Sequence, residues 1–363
     1  VKELLWGSRP AEPDGPPPHP ALFGAYNPFA PVAPSGALDL RGFIEMLSKA
    51  RHLTCVKERV DWKHGIGRWT RSRRKPLLFE NIKDYPNQRI FTNGLNDALC
   101  IAVALGFDPG LPIERVLAQS RKRLRDPIAP KIVGTGPVME NVVPSVALDL
   151  LQFPVPQWSQ AEGGRYVGTW HLNISKDPET GKRSAGVYRM KVMGQKQATI
   201  NASKRSELAR QVAKAEAKKA ELPMAVAIGA PEATVIAASA ACPVGMDAFE
   251  VAGALQQKPV ELMECGQVEV PAHSEIVIEG FIHPETRVED GPYPDHNGRL
   301  VTNPKAFLFE ATRVMHRDDP IFRGRAIGKT GVEEQQLHAF LAELRLLDSQ
   351  KSRFMQMVHS LFG

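Results

Sequence analysis

The densest group of reactive side chains in the sequence is Glu289-Asp290-Gly291-Pro292-Tyr293-Pro294-Asp295-His296-Asn297-Gly298, with three carboxylates and an imidazole within ten residues. Carboxylates this close repel one another when ionised. One pKa then rises, and that group can act as a general acid if the segment is partly buried. The same mixture of Gly, Pro, Asp and Asn also describes an ordinary polar surface turn. A second candidate is Arg189, which follows Tyr188 in the strand-like run Gly186 to Val192. From a strand facing a cavity its guanidinium could grip a carboxylate through two hydrogen bonds, whereas an exposed strand arginine has no such role. A third stretch, Pro271 to Gly280, alternates acidic with apolar residues, and strand alternation sets Glu275 and Glu279 on one face.

Holding such groups in place takes a folded scaffold, and the chain has room for one. Its 363 residues allow two or three domains, and 43% hydrophobic with 24% charged residues is the balance of a globular protein, not of a disordered chain or a rod. A net charge of +6 suits anionic partners without naming one. Cys55, Cys100, Cys242 and Cys265 are widely spaced, with no zinc-type pairing, which fits reduced thiols in a cytoplasmic protein. No run reaches the ~18 to 20 apolar residues of a membrane span, and the N-terminus lacks the apolar core of a signal peptide.

Residues 1–38 hold nine of the 30 prolines and read as an extended Pro-rich arm or a flexible leader. From 39 to 125 a small α/β domain is expected. Leu40, Phe43, Ile44 and Leu47 recur at helical spacing after a possible Asp39 cap, Asn96 to Leu105 reads as a second helix, and Thr54 to Val56 and Pro76 to Glu80 read as buried strands. Arg121, Lys122, Arg123 and Arg125 read as a solvated charge run. Residues 126–320 are dominated by strand signals at Lys131 to Gly134, Tyr166 to Ile174, Gly186 to Val192, Pro223 to Ile228, Val260 to Cys265 and Glu275 to Phe281. A single helix, Ser206 to Glu221, interrupts them, which points to a barrel-like α+β domain. Residues 321–363 read as a linker and a C-terminal helix over Val332 to Leu347, with Leu337, Phe340, Leu341 and Leu344 on one face.

In order along the chain, several motifs resemble the UbiD family of reversible decarboxylases. They are Leu77-Leu78-Phe79-Glu80-Asn81 with Lys83-Asp84-Tyr85-Pro86; Gly134-Thr135-Gly136-Pro137; Asp149-Leu150 with Phe153-Pro154-Val155-Pro156; and Gly164-Arg165-Tyr166. They continue with Lys176-Asp177-Pro178-Glu179-Thr180-Gly181, Gly186-Val187-Tyr188-Arg189-Met190, Pro271-Ala272 through Glu279-Gly280, and the acidic segment. The resemblance spans roughly 39 to 328. It implies an α/β (α+β) fold with a split β-barrel, flavin-binding middle domain, and prenylated flavin mononucleotide as cofactor.

It further implies non-oxidative decarboxylation or carboxylation of an aromatic, heteroaromatic or α,β-unsaturated carboxylic acid. Arg189, Asp290 and Asp295 would be the acid-base network, with Asp295 as the proton donor. Cofactor contacts would come from Ser184, Val187, Tyr188, Arg189, Asn201, Ser203, Lys204 and Arg205. A homo-oligomer (dimer or hexamer), or a hetero-oligomer with another UbiD-like subunit, is the implied assembly. Loss of carbon dioxide leaves carbanion character, which requires an electron sink and then a proton, and no ordinary side chain supplies the sink.

The metal motif departs from the family's pattern. Ser184 stands where the family has Asn five residues before the arginine. Lys204-Arg205 occupies the region of its His, and Ala248, flanked by Asp247 and Glu250, stands at the position of its Glu. No metal ligand is therefore assigned, manganese is uncertain, and Lys204 or Arg205 is the candidate substitute for the cation beside a phosphate. Pro294 replaces a family glycine. The family's C-terminal α/β domain is largely missing, with Lys351 to Met357 a weak echo of one of its helices. Two other classes stay open on sequence alone. One is a flavin-free subunit that organises a carboxylase complex. The other is a basic nucleic-acid-associated protein, although no aromatics interleave with the basic runs.

Overall fold

The computed structural model describes residues 39–240, 247–295, 298–327, 333 and 336–344. The Pro-rich arm and Lys351 to Met357 lie outside the described residues. The fold starts where the apolar periodicity starts. Helix α1, Leu40–Lys49, is capped by Asp39, whose carboxylate accepts from the Gly42 N–H at 2.8 Å, and its buried stripe is Leu40, Phe43, Ile44 and Leu47. Strands β1 (Thr54–Val56), β2 (Leu77–Phe79) and β3 (Arg89–Thr92) follow, with helix α2 (Gly65–Ser72) between the first two. Asp97 caps α3 (Ala98–Ala104), a short helix with five buried residues, and α4 is Ile113–Arg123.

The basic cluster that ends α4 is a solvated face only in part: Lys122 and Arg125 are exposed, whereas Arg121 and Arg123 are half-buried. Arg123 donates to the carbonyls of Leu105 and Leu255 at 2.7 and 2.6 Å and lies 3.7 Å from the Phe107 ring centroid, while Arg121 donates to the Glu343 carbonyl at 2.9 Å. These cations satisfy helix-end carbonyls, which otherwise have no partner.

The middle of the chain contributes β4 (Lys131–Val133), β5 (Asn141–Pro144), β6 (Tyr166–Gly168), β7 (His171–Lys176), β8 (Arg183–Gly186), β9 (Met190–Lys191) and β10 (Gln197–Ile200). After α5 (Glu207–Ala217) come β11 (Leu222–Ile228), α6 (Glu232–Ser239) and α7 (Ala248–Gln256). The chain continues through β12 (Glu261–Cys265), β13 (Val268–Pro271), β14 (Ile276–Pro294) and β15 (Leu300–His316). The expected single helix in this region is thus joined by α6 and α7. Both are short, and nearly all their residues are buried, so the one-sided periodicity that reveals a helix is absent.

The main sheet is antiparallel, in the order β10-β15-β14-β11-β7-β8, with β5 pairing on β15. This is the sheet of the split-barrel middle domain. Period-two alternation divides the side chains of β11 between two cores: Ala225 and Ala227 join one apolar cluster, and Met224, Val226 and Ile228 the other. Both faces are covered, which is why β11 reads as a nearly continuous apolar run. Small sheets β13-β12-β4 and β6-β9 complete the region. Residues 321–363 begin not with a linker but with a buried strand, β16 (Ile321–Arg323), parallel to β3 in the sheet β1-β2-β3-β16. Residues 336–344 are helical, with Leu337, Phe340, Leu341 and Leu344 buried, and the rest of the expected final helix lies outside the described residues.

Among the described residues no helix is long and apolar enough to cross a membrane. The described cysteines Cys55, Cys100 and Cys265 are free, Cys55 being exposed and the other two buried.

Candidate active site

The run from Gly186 to Val192 is not one strand. β8 stops at Gly186 and β9 starts at Met190, so Val187, Tyr188 and Arg189 form a crossing segment between strands. Gly186 lies under the Tyr188 ring, and a Cβ there would sit 2.6 Å from the ring, so only glycine allows the chain to fold over at this point. The Tyr188 N–H donates to Asn173 Oδ1 on β7 at 3.0 Å, and the Arg189 carbonyl accepts from the Asn201 N–H at 3.0 Å. The segment is therefore pinned at its middle and its end.

The acidic segment is not a surface turn either. Glu289 to Pro294 belong to β14, which pairs with β15 through repeated register shifts, one on each side of Asp290. Bulges of this kind free backbone groups from the ladder, which lets Pro292 and Pro294 lie in a strand. At Gly291, φ is +108° and a Cβ would meet the Val301 carbonyl at 2.6 Å, so this position also requires glycine. The distortion turns Asp290 inward, where it is fully buried.

Arg189 and Asp290 meet there. Arg189 Nε donates to Asp290 Oδ2 at 2.7 Å, with side chains 14% and 0% exposed. Asp290 Oδ1 accepts from Thr199 Oγ1 at 2.8 Å, and that hydroxyl accepts from the Lys191 N–H at 3.0 Å. Lys191 Nζ donates to the Gly291 carbonyl at 3.1 Å. Both carboxylate oxygens are thus held, one by the crossing segment and one by β10, as a buried charge requires. The Asn201 carboxamide, turned so that its oxygen faces the guanidinium, accepts from Arg189 Nε and Nη2 at 3.1 and 2.7 Å.

Aromatic rings floor the pair. Tyr166 and Tyr293 have ring centroids 4.3 Å apart, and the Arg189 guanidinium carbon lies 4.8 Å from the Tyr293 centroid. Burial, then the Asp290 charge, raises the Tyr166 pKa above that of a free phenol; burial, then Glu162, raises that of Tyr293.

Asp295 lies just past the end of β14. Its N–H donates to the Arg299 carbonyl at 2.8 Å, its Oδ1 accepts from the Arg299 N–H at 2.9 Å, and its carbonyl accepts from the Gly298 N–H at 2.9 Å. The contacts described here make it the residue that closes the β14–β15 turn. His296 lies outside the described residues.

The remaining sequence candidates fall into two groups. Ser184 pairs with Ser175 in the β8–β7 ladder and is half-buried. Asn201, Ser203, Lys204 and Arg205 lie on the loop from β10 to α5, the last three exposed. Ser206 caps α5, accepting from the Ala209 N–H at 3.1 Å, and the Tyr188 hydroxyl hydrogen-bonds Ser206 and the Leu208 backbone. The loop and the crossing segment therefore meet at the start of α5. Thr199, Lys191, Tyr166 and Glu162 border the site, and of these only Tyr166 entered the sequence reading, through the Gly164-Arg165-Tyr166 motif. Only the paired glycines after Glu162 hint at a close approach: Gly163 donates to the Pro292 carbonyl at 2.8 Å, and a Cβ there would lie 2.0 Å from the Gly291 oxygen.

The positions aligned with metal ligands do not form a cation site. Asp247 caps α7 by accepting from the Phe249 N–H at 2.9 Å and pairs with Arg183 Nε and Nη2 at 2.9 and 2.6 Å. Glu250 closes the capping box, and Arg183 also holds Glu269 at 2.8 Å. The carboxylates are committed to cations and backbone, Ala248 offers no ligand, and Lys204 and Arg205 add positive charge, so these residues do not fit a divalent ion. Elsewhere, His52, Asp97 and Cys100 bring their ligand atoms within 4.8 Å of one another. Asp97 is committed there to the Cys100 N–H and to His52, at 3.0 and 2.6 Å, and burial pushes the Cys100 thiol pKa well up, away from the thiolate a metal needs.

A mixed α/β scaffold thus buries an arginine-carboxylate pair beside a donor-rich loop. Residues 131–330 match the 3-octaprenyl-4-hydroxybenzoate carboxy-lyase Rift-related domain, and residues 44–119 match the 3-octaprenyl-4-hydroxybenzoate carboxy-lyase N-terminal domain. The chain belongs to the UbiD family. It is 32% identical over 335 residues to a pyrrole-2-carboxylic acid decarboxylase of Pseudomonas aeruginosa, covering 86% of this chain and 66% of that protein. It is 31% identical over 338 residues to an uncharacterised protein of Archaeoglobus fulgidus, covering 85% of this chain and 69% of the relative.

Among solved structures, the closed form of the vanillic acid decarboxylase of Sedimentibacter hydroxybenzoicus superposes with a TM-score of 0.80 at 27% identity, covering 86% of this chain and 68% of that one. An evolved dimeric form of the UbiD-class enzyme HmfF from Pelotomaculum thermopropionicum, in complex with prFMN, gives 0.78 at 29% identity, covering 85% and 72%. The chain spans about two thirds of the length of the curated relatives it matches, from 62% to 69%.

Proposed function

We propose that this protein is a carboxy-lyase that binds prenylated flavin mononucleotide and removes carbon dioxide from, or adds it to, a small aromatic, heteroaromatic or α,β-unsaturated acid. The observation that carries this reading is the buried Arg189–Asp290 pair, held from three strands beside a loop rich in hydrogen-bond donors. Ser184, Asn201 and Ser203 offer neutral polar groups, and Lys204 and Arg205 offer exposed cations, a set suited to an anionic, acceptor-rich flavin phosphate. The chain's residues fit that group, and they do so without a divalent ion.

When bound, the prenylated flavin supplies the electron sink that carbon dioxide loss demands. The chain's own residues do the rest. Arg189 keeps Asp290 in place and presents its outer nitrogens to the substrate carboxylate. The Tyr166 and Tyr293 rings, both fully buried, exclude water from the inner side of the Arg189–Asp290 pair. Asp295, five residues beyond Asp290, carries the proton to the carbon that loses carbon dioxide. In the turn one of its oxygens accepts from the Arg299 N–H.

Co-expression with a flavin prenyltransferase, followed by absorption spectroscopy and assays of carbon dioxide release over a panel of aromatic acids, tests the reading. Bound flavin with release that depends on Arg189 and Asp295 supports it. A folded protein that never takes up flavin rejects it in favour of a flavin-free subunit.

A further inference from the structure

In β10, Thr199 lies between Ala198 and Ile200, which are fully buried in an apolar cluster. Strand alternation turns Thr199 to the opposite face, where it too is fully buried. Valine has the same shape and suits a buried strand at least as well, so packing gives no reason for a hydroxyl here. A buried hydroxyl costs free energy unless it is hydrogen-bonded, and the purpose of this one lies in its two partners.

The direction of both hydrogen bonds is fixed. The Lys191 backbone N–H can only donate, and it reaches Thr199 Oγ1 at 3.0 Å, next to the bridge between Val192 and Ala198 that joins the two strands. The hydroxyl proton is left for Asp290 Oδ1, 2.8 Å away, and Thr199 donates to no other acceptor among the described residues. The other oxygen of Asp290, Oδ2, meets Arg189 Nε, also a donor, at 2.7 Å. Lys191 closes the arrangement from its far end. Its side chain, 7% exposed, donates Nζ to the Gly291 carbonyl at 3.1 Å, so the residue after Asp290 is held by the same lysine whose backbone orients Thr199.

We infer that Thr199 is a positioning residue whose hydroxyl, oriented by the Lys191 N–H, keeps Asp290 in the rotamer that meets Arg189 Nε and makes it an acceptor at both oxygens. A proton added to either oxygen would face another donor or go without an acceptor, which a fully buried group does not tolerate. Asp290 therefore serves as a fixed anion for Arg189 and not as a proton donor. The catalytic consequence rests on the carboxy-lyase reading: the proton that replaces carbon dioxide falls to the other acid of the proposed network, Asp295. The hydrogen-bond chain itself does not depend on that reading.

Two substitutions separate the hydroxyl from packing. Thr199→Val keeps the shape and removes the hydroxyl, whereas Thr199→Ser keeps the hydroxyl and removes the methyl group. In protein carrying isotope-labelled arginine, without flavin or substrate, the Arg189 Nε–H resonance, assigned with Arg189→Lys, should shift in Thr199→Val and hold its wild-type position in Thr199→Ser. If Thr199→Val fails to fold, Thr199→Ala takes its place in the comparison. In holoenzyme obtained by co-expression with a flavin prenyltransferase, kcat should fall roughly tenfold or more in Thr199→Val, with flavin content unchanged, and recover in Thr199→Ser.

A resonance and a kcat that both follow the hydroxyl support the inference. An Arg189 resonance indifferent to loss of the hydroxyl overturns it, and so does the opposite ranking, in which Thr199→Ser departs from wild type and Thr199→Val does not. A resonance that follows the hydroxyl in a protein that releases no carbon dioxide in any form rejects the carboxy-lyase reading and leaves the role of Thr199 standing.

Discussion

Replacing Arg189 by alanine removes the partner of a carboxylate with 0% exposure, leaving the Thr199 hydroxyl as its main hydrogen bond. At about 4 Å charge separation and an effective dielectric near 20, the pair is worth about 4 kcal/mol before desolvation is counted. Breaking a buried pair by deleting one member typically costs about 3 to 5 kcal/mol, because the remaining charge is stranded. Arg189→Ala is therefore expected to lose about 3 to 5 kcal/mol of stability. Asp290→Asn is expected to lose less, about 1 to 3 kcal/mol, because the arginine it leaves is 14% exposed and keeps the Asn201 carboxamide in reach. The double variant should be more stable than the sum of the losses implies, with a coupling energy of roughly 2 to 3 kcal/mol. Guanidinium unfolding followed by fluorescence of the buried Trp158 and Trp170 reads all four corners of the cycle. Losses that add to within about 0.5 kcal/mol would refute the claim that these charges hold each other.

Glu162 ionises near 4.5 when unfolded and at about 7 when folded, so the native state retains the proton longer. The stability it contributes is complete below pH 4.5 and falls by about 3 kcal/mol as pH rises through 7, so Glu162→Gln should gain stability over wild type at pH 8 but not at pH 4, measured by denaturant midpoints. Gly291→Ala forces a side chain into φ +108° against the Val301 carbonyl, and a thermal melt should show a clear loss of stability. Arg323, 1% exposed and paired with Glu232 and Glu333, should be among the costliest cations to remove: Arg323→Met should destabilise by about 3 to 5 kcal/mol in chemical unfolding. Because Asp247, next to the metal position Ala248, is already paired with Arg183, removing divalent ions with a chelator should leave flavin affinity unchanged in a fluorescence titration.

What the sequence disclosed followed from periodicity and local chemistry. The Asp39 cap and the stripe Leu40, Phe43, Ile44 and Leu47 could be read because a helix period shows through when one face is buried, and β11 because a strand buried on both faces reads as a short continuous apolar run. The helices α6 and α7 could not, because burial on all sides erases the period. Residues 289–294 looked like a turn because Gly and Pro report backbone geometry without saying whether that geometry is a loop or a bulged strand. The Arg189–Asp290 partnership, 101 residues apart, came from motif resemblance, and no spacing rule could supply it. Thr199 and Glu162 stayed hidden because a threonine in a strand and an acid before two glycines have no signature until the chain is folded.

The most direct test is the state of the protein purified after co-expression with a flavin prenyltransferase. The expected result is a bound prenylated flavin, visible in the absorption spectrum and in the mass of the released small molecule, and carbon dioxide release from an aromatic acid that Arg189→Ala and Asp295→Asn each abolish. A correctly folded protein with no flavin bound, or full activity in both variants, would contradict it.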